Sequence, residues 1–220
     1  MALECWILFR RLRPAGGPPW VREVLGDDLG DLPDPGAGNL RAGSWSGFFF
    51  FTGIATLVGA AKHGIPHYLA PVPFALTTFA SGFGSGIGVL YAEVATLQAH
   101  VDLGPLRRWL RRGALAQLAL FALVLALNRS FIVVTVNTAL GLVPVMVAEC
   151  LAFRRGYRGS GWVAGGLAFS SMTALVYLLK VSIHPWFDHI DLAHVMMMAS
   201  LLAVYRGVRV SREVPAKVRG

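Results

Sequence analysis

Six apolar runs, each close to the length that crosses a hydrocarbon core, divide this chain of 220 residues and leave it few folds to choose from. A crossing helix needs about 20 mostly apolar residues, because each adds about 1.5 Å across a core about 30 Å thick. Backbone N–H and C=O groups find no water there, so each run must close its own hydrogen bonds as a helix. The runs lie at about Ala42 to Ala61, within the uncharged stretch from His63 to Ala92, and at about Gly113 to Asn128. Three more follow, at about Phe131 to Cys150, Gly161 to Leu179 and His189 to Tyr205. The fold expected is all-α: a polytopic transmembrane helix bundle of six full spans plus a truncated N-terminal helix stub.

The basic residues test that count. If the N-terminal segment lies on one side and the chain then crosses six times, that side collects 17 of the 20 Lys and Arg residues. The other side receives only Lys62, Arg129 and Lys180. A wrong number of crossings would mix the two sets. Lys and Arg concentrate in cytoplasmic loops, so the heavily basic side is the cytoplasm and the C-terminus belongs to it. The net charge of +8 and pI of about 10.2 would suggest nucleic acid on a soluble chain. Here the charges sit in short clusters between apolar runs and only 15% of residues are charged, against about 25% in soluble domains. Topology accounts for them. The expected partner is membrane lipid, and no nucleic acid.

Three parts follow: an N-terminal stub and flexible cytoplasmic loop over 1–42, the helix bundle over 43–206, and a basic cytoplasmic tail over 207–220. The stub, ALECWILF followed by RRLR, is too short to span and reads as the cytoplasmic end of a longer helix. A complete relative is expected to carry that helix in full, making seven. The loop is rich in Gly, Pro and Asp, and its Asp27, Asp28, Asp31 and Asp34 lack the DxDxDG order of a calcium loop. Cys5 and Cys150 form no CxxC pair and read as apolar filler. GFGSGIG (82–88) lacks the Lys of a phosphate loop. Its pairs four apart, Gly82 with Gly86, Gly84 with Gly88 and Ser81 with Ser85, predict close helix contact. Glu93 and Glu149 are expected to be solvated at the cytoplasmic ends of their spans. Met196, Met197 and Met198 are expected to pack or to face lipid.

Ionisable residues inside an apolar span are costly, which makes them candidates for function. Five of the six histidines fall toward the non-cytoplasmic face: His63 and His67 after the first run, and His184, His189 and His194 around the start of the last. The densest group is HPWFDHIDLAH (184–194). Asp191 and His194, three apart, share a helix face, whereas His189 and His194, five apart, lie about 140° apart on an ideal helix. Those two would share a ligand only with a distorted first turn. Imidazoles with a carboxylate suit zinc or a similar borderline metal. Asp188 equally suits the N-terminal cap of the helix, and His184 and His67 suit plain interfacial positions.

Two of these motifs carry a resemblance. A histidine closing an early helix, in GAAKHG, combined with FDHIDLAHVMMM opening the last one, resembles the seven-helix membrane hydrolase superfamily of alkaline ceramidases and progestin/adipoQ receptors. The likeness is greatest to bacterial members of unassigned activity that share a (N/D)HxDxxH signature. The resemblance implies a seven-helix bundle of the bacterial inner (plasma) membrane. It also implies zinc bound by His63, His189 and His194 with Asp191 beside it, and hydrolysis of lipid amides. For this chain the expectation is widened to a lipid-like amide or ester. This chain departs from the pattern in three places: the last-helix pair is HxxxxH rather than HxxxH, Gly59 stands where a Ser is usual, and the first helix is reduced to a stub. Two other functions remain open on the residues alone. One is a b-type haem protein using two of these histidines axially. The other is a non-enzymatic, proton-linked sensor or transporter.

Overall fold

The apolar runs fold as helices that outlast them. The computed structural model describes residues 1–12, 37–64, 71–100, 104–184 and 186–212. Its helices are α1 (Ala2–Leu12), α2 (Ala37–Gly64), α3 (Pro71–His100), α4 (Gly104–Leu127), α5 (Phe131–Arg154), α6 (Ser160–Leu178) and α7 (His189–Arg212). Among the described residues there is no β-strand, and the six helices α2 to α7 are long and apolar enough to cross a membrane. The fold is all-α, with the six spans expected and a short first helix, and suits a multi-pass membrane protein.

Several boundaries differ from those the charges suggest. Helix α2 starts at Ala37, within the segment read as a flexible loop. Helix α4 starts at Gly104, so Arg107, Arg108, Arg111 and Arg112 ride on it instead of lying in a loop. Helix α7 carries Arg206 and Arg209 and ends at Arg212, so residues 207–212 are helix, not tail. The reason is physical. A charge ends an apolar run, but it does not end the backbone ladder, because long basic side chains reach water or headgroups from a helix that continues. Prolines mark some starts: Pro71 and Pro73 open α3 and Pro105 follows Gly104 in α4, where the missing N–H costs nothing. Between α4 and α5, Ser130 N–H donates to Asn128 Oδ1 at 3.2 Å, a side-chain-closed turn.

Two compact units, residues 2–142 and 143–220, are described in turn. In the first, α3 packs on both α2 and α4, and α1 docks on α2. Both stripes of the GFGSGIG segment are used, on different faces. A Cβ at Gly84 would touch Ala55 at 3.4 Å, and one at Gly88 would meet Thr52 Oγ1 at 3.1 Å, so this stripe seats α3 on α2. Gly82 and Gly86 turn to α4, where a Cβ would meet Leu125 at 2.9 Å and Phe121 at 2.5 Å. Ser81 Oγ donates to Ala55 O (2.8 Å) and Ser44 Oγ to Gln98 Oε1 (2.9 Å) across the same α2–α3 contact. Interhelical hydrogen bonds of this kind contribute about 0.6 kcal/mol each in membranes.

The first helix is more than a stub. Its buried face, Cys5, Leu8, Phe9 and Leu12, lies against α2: Cys5 Cβ is 3.0 Å from where a Gly53 Cβ would stand, and Phe9 and Phe50 rings are 5.0 Å apart. Cys5 is the packing residue expected, and burial pushes its thiol up to about 12. Cys150 is not: it is exposed on α5.

In the second unit, α6 and α7 form an antiparallel pair in close register. Gly159, at φ 86°, is followed by α6, and a Cβ at Gly207 would approach its carbonyl oxygen to 2.6 Å. Higher up, Ser200 Oγ donates to Gly166 O at 2.8 Å, and Ser170 Oγ to Met197 Sδ at 3.5 Å. The Arg206 guanidinium lies 4.3 Å from the Trp162 ring centroid. This register carries the start of α7 to the end of α6.

Candidate functional site

The histidine-rich segment is built by how α6 stops. Val181 N–H donates to Val176 O (3.0 Å) and Lys180 N–H to Tyr177 O (3.3 Å), with Lys180 at φ 51°. That pair of bonds is a Schellman motif, with a lysine in the left-handed position glycine usually fills. The chain then turns through an isolated antiparallel bridge between His184 and Phe187, in which Phe187 N–H donates to His184 O at 2.9 Å. Trp186 N–H donates to His184 Nδ1 at 3.2 Å, so the turn itself occupies one imidazole nitrogen. Trp186 is 89% exposed and Ile183 69%, the kind of apolar surface that sits at a membrane interface.

Asp188 starts the helix. Its Oδ1 accepts the N–H of Ile190 (2.8 Å) and of Asp191 (3.1 Å), and Leu192 N–H closes the ladder onto Asp188 O at 3.0 Å. The N–H groups of Asp191 and then Ile190 hold the Asp188 carboxyl below the usual aspartate value. The capping reading of this residue is therefore the structural one.

The capped helix is regular from its first turn, and this sorts the candidate ligands. His189 is half-buried, its ring 5.7 Å from that of Tyr177 on α6. Asp191 and His194 are exposed and share a different face, three residues apart. His189 and His194 stay about 140° apart, so one ion reaches both only if the first turn opens. His184 is exposed in the preceding turn. His63 is in the last turn of α2, its side chain outside the described residues, and His67 lies wholly outside them. Among the described residues, no group of three or more His, Cys, Asp or Glu is gathered to hold a metal. Imidazole nitrogens and a carboxylate are donors of the kind zinc takes, and His189 could share an ion with His194 only after rearrangement.

Other polar residues in the spans differ from the sequence reading or were not part of it. Glu149, expected to be solvated, is fully buried, and Glu93 is half-buried. Each carboxylate was placed near the cytoplasmic end of its span, yet α5 continues to Arg154 and α3 to His100. Asn137 is 6% exposed and accepts from Gln117 Nε2 through Oδ1 at 3.2 Å. Uncharged amides inside apolar runs were the available signal.

Over residues 1–213 the chain matches a family described as a family of unknown function (DUF6962). The chain belongs to that family. No curated protein and no solved structure matches it.

Proposed function

We propose that this member of the family is an integral protein of the bacterial inner membrane that hydrolyses lipid amide or ester bonds with a zinc ion at the start of α7. One observation supports it above the others. Asp191 and His194 share an exposed face within the first two turns of a membrane-spanning helix, and neither side chain makes a hydrogen bond among the described residues. Ionisable side chains at such depth are costly without a role.

In this reading His194 is a metal ligand, with His189 as a further ligand the resemblance implies. A bound zinc would supply a Lewis acid and lower the pKa of a water toward about 7. Asp191, one turn back on the face of His194, accepts the proton from the attacking water. The Asp188 cap and the Tyr177 ring hold His189 in the turn, and loss of that cap is what would free it. An amphiphilic substrate reaches the exposed face sideways from the bilayer.

The test is an assay of purified, zinc-supplemented protein on a long-chain N-acyl sphingoid amide and a long-chain acyl ester. Asp191→Asn and His194→Ala should each lower turnover by about 10² to 10⁴ while helix content stays unchanged. No turnover of either substrate class by the wild type would refute the reading.

A further inference from the structure

The first unit holds a polar centre of its own. Gly141 on α5 sits beneath it: a Cβ there would lie 3.1 Å from Glu93 Oε1 of α3 and 3.4 Å from Gln117 Nε2 of α4, and would collide with Val89. One turn earlier on α5, Asn137 accepts from Gln117 Nε2 through Oδ1 (3.2 Å) and through its backbone oxygen (3.4 Å). Three helices thus bring a carboxyl and two amides into one niche, with a glycine leaving the room. Glu93 lies about 11 Å from the midpoint of α3, within the half-thickness of about 15 Å of a hydrocarbon core. Gln117 is close to the middle of α4.

We propose that Glu93 is a proton-binding site inside the bilayer, with Gln117 and Asn137 as its fixed amide partners. An ionised carboxylate is costly at this depth and a neutral acid is much less so, which is the condition for proton uptake. A primary amide suits both states. Its NH₂ donates to the carboxylate and its oxygen accepts from the acid.

Among the described residues no charge is set against Glu93. The helices packed on α3 carry Arg41, Lys62 and His63 on α2 and Arg107, Arg108, Arg111 and Arg112 on α4, and residues 131–142 of α5 carry no titratable group. On α3 itself the titratable neighbours are Tyr91 and His100. Among the described residues Glu93 makes no ion pair. Lys62 and His63 belong to the opposite end of α2, since Ser44, near its start, meets Gln98.

The experiment is labelling of the full chain in membranes with N,N′-dicyclohexylcarbodiimide, an apolar reagent that modifies protonated carboxyls, with the site read by peptide mass mapping. Glu93 should be labelled under mildly acid conditions, and labelling should fall about tenfold per pH unit above a midpoint. Glu93→Gln should abolish it, and Gln117→Leu or Asn137→Leu should move the midpoint. Absence of Glu93 labelling at every pH, labelling without pH dependence, or a midpoint indifferent to both amide variants would overturn the proposal. So would equal loss of labelling on raising sodium at fixed pH, which would assign the niche to a metal cation.

Discussion

Adjacent glycines on α6 should respond oppositely to one added methyl. At Gly166 a Cβ would stand 2.8 Å from Val204 Cγ2, 2.9 Å from Ser200 O and 3.0 Å from Val204 N. Two of those atoms are backbone of α7, and Val204 is 1% exposed, so no flexible side chain can absorb the overlap. Overpacking of this kind costs about 1–3 kcal/mol. Separating the helices would also stretch the hydrogen bond from Ser200 Oγ to Gly166 O, contributing about 0.6 kcal/mol more. At Gly165 nothing lies within 4 Å of a Cβ, and replacing glycine by alanine inside a helix gains about 0.5–1 kcal/mol. Gly166→Ala should therefore unfold at lower SDS fraction than wild type, and Gly165→Ala at equal or higher fraction, followed by loss of helix signal in mixed micelles. Equal shifts of the same sign would refute the α6–α7 packing that positions the start of α7.

Lys180→Gly should stabilise the protein by about 1 kcal/mol, read in the same SDS titration, because φ 51° costs any residue with a Cβ. Asp188→Ala should speed hydrogen exchange at the amides of Ile190 and Asp191, which lose their acceptor. The sign with pH follows from the lowered Asp188 pKa. The ionised cap is complete above the ordinary aspartate value, persists somewhat below it, and is lost as pH falls through the depressed value. Exchange at those two amides should therefore rise, relative to the intrinsic rate, only in acid. A membrane-permeant maleimide should label Cys150 in the folded protein and Cys5 only after unfolding, since Cys5 is buried with its thiol pushed up to about 12. Equal rates would mean that α1 is not docked on α2.

Much of the fold was legible because bilayer thickness and backbone hydrogen bonding act on composition alone. The six spans needed only run length, and the small-residue stripes of α3 were visible as pairs four apart. The sequence did not show that Gly84 and Gly88 face α2 while Gly82 and Gly86 face α4, because which helix fills each groove is a tertiary choice. Helix ends were misjudged wherever arginine or glutamate was taken as a stop, as at Gly104 and Arg212. The same habit sent Glu149 to solvent. At the histidine cluster, spacing gave the shared face of Asp191 and His194 and the 140° separation of His189. It left the capping of Asp188 an even choice, because cap and ligand draw on the same side chain.

We propose that the start of α7 holds a metal. The most direct test is elemental analysis of detergent-purified protein prepared without chelators, beside the His189→Ala/His194→Ala double variant. About one zinc per chain, lost in the variant, is the result predicted. No stoichiometric metal in the wild type, or the same amount in both proteins, would contradict it.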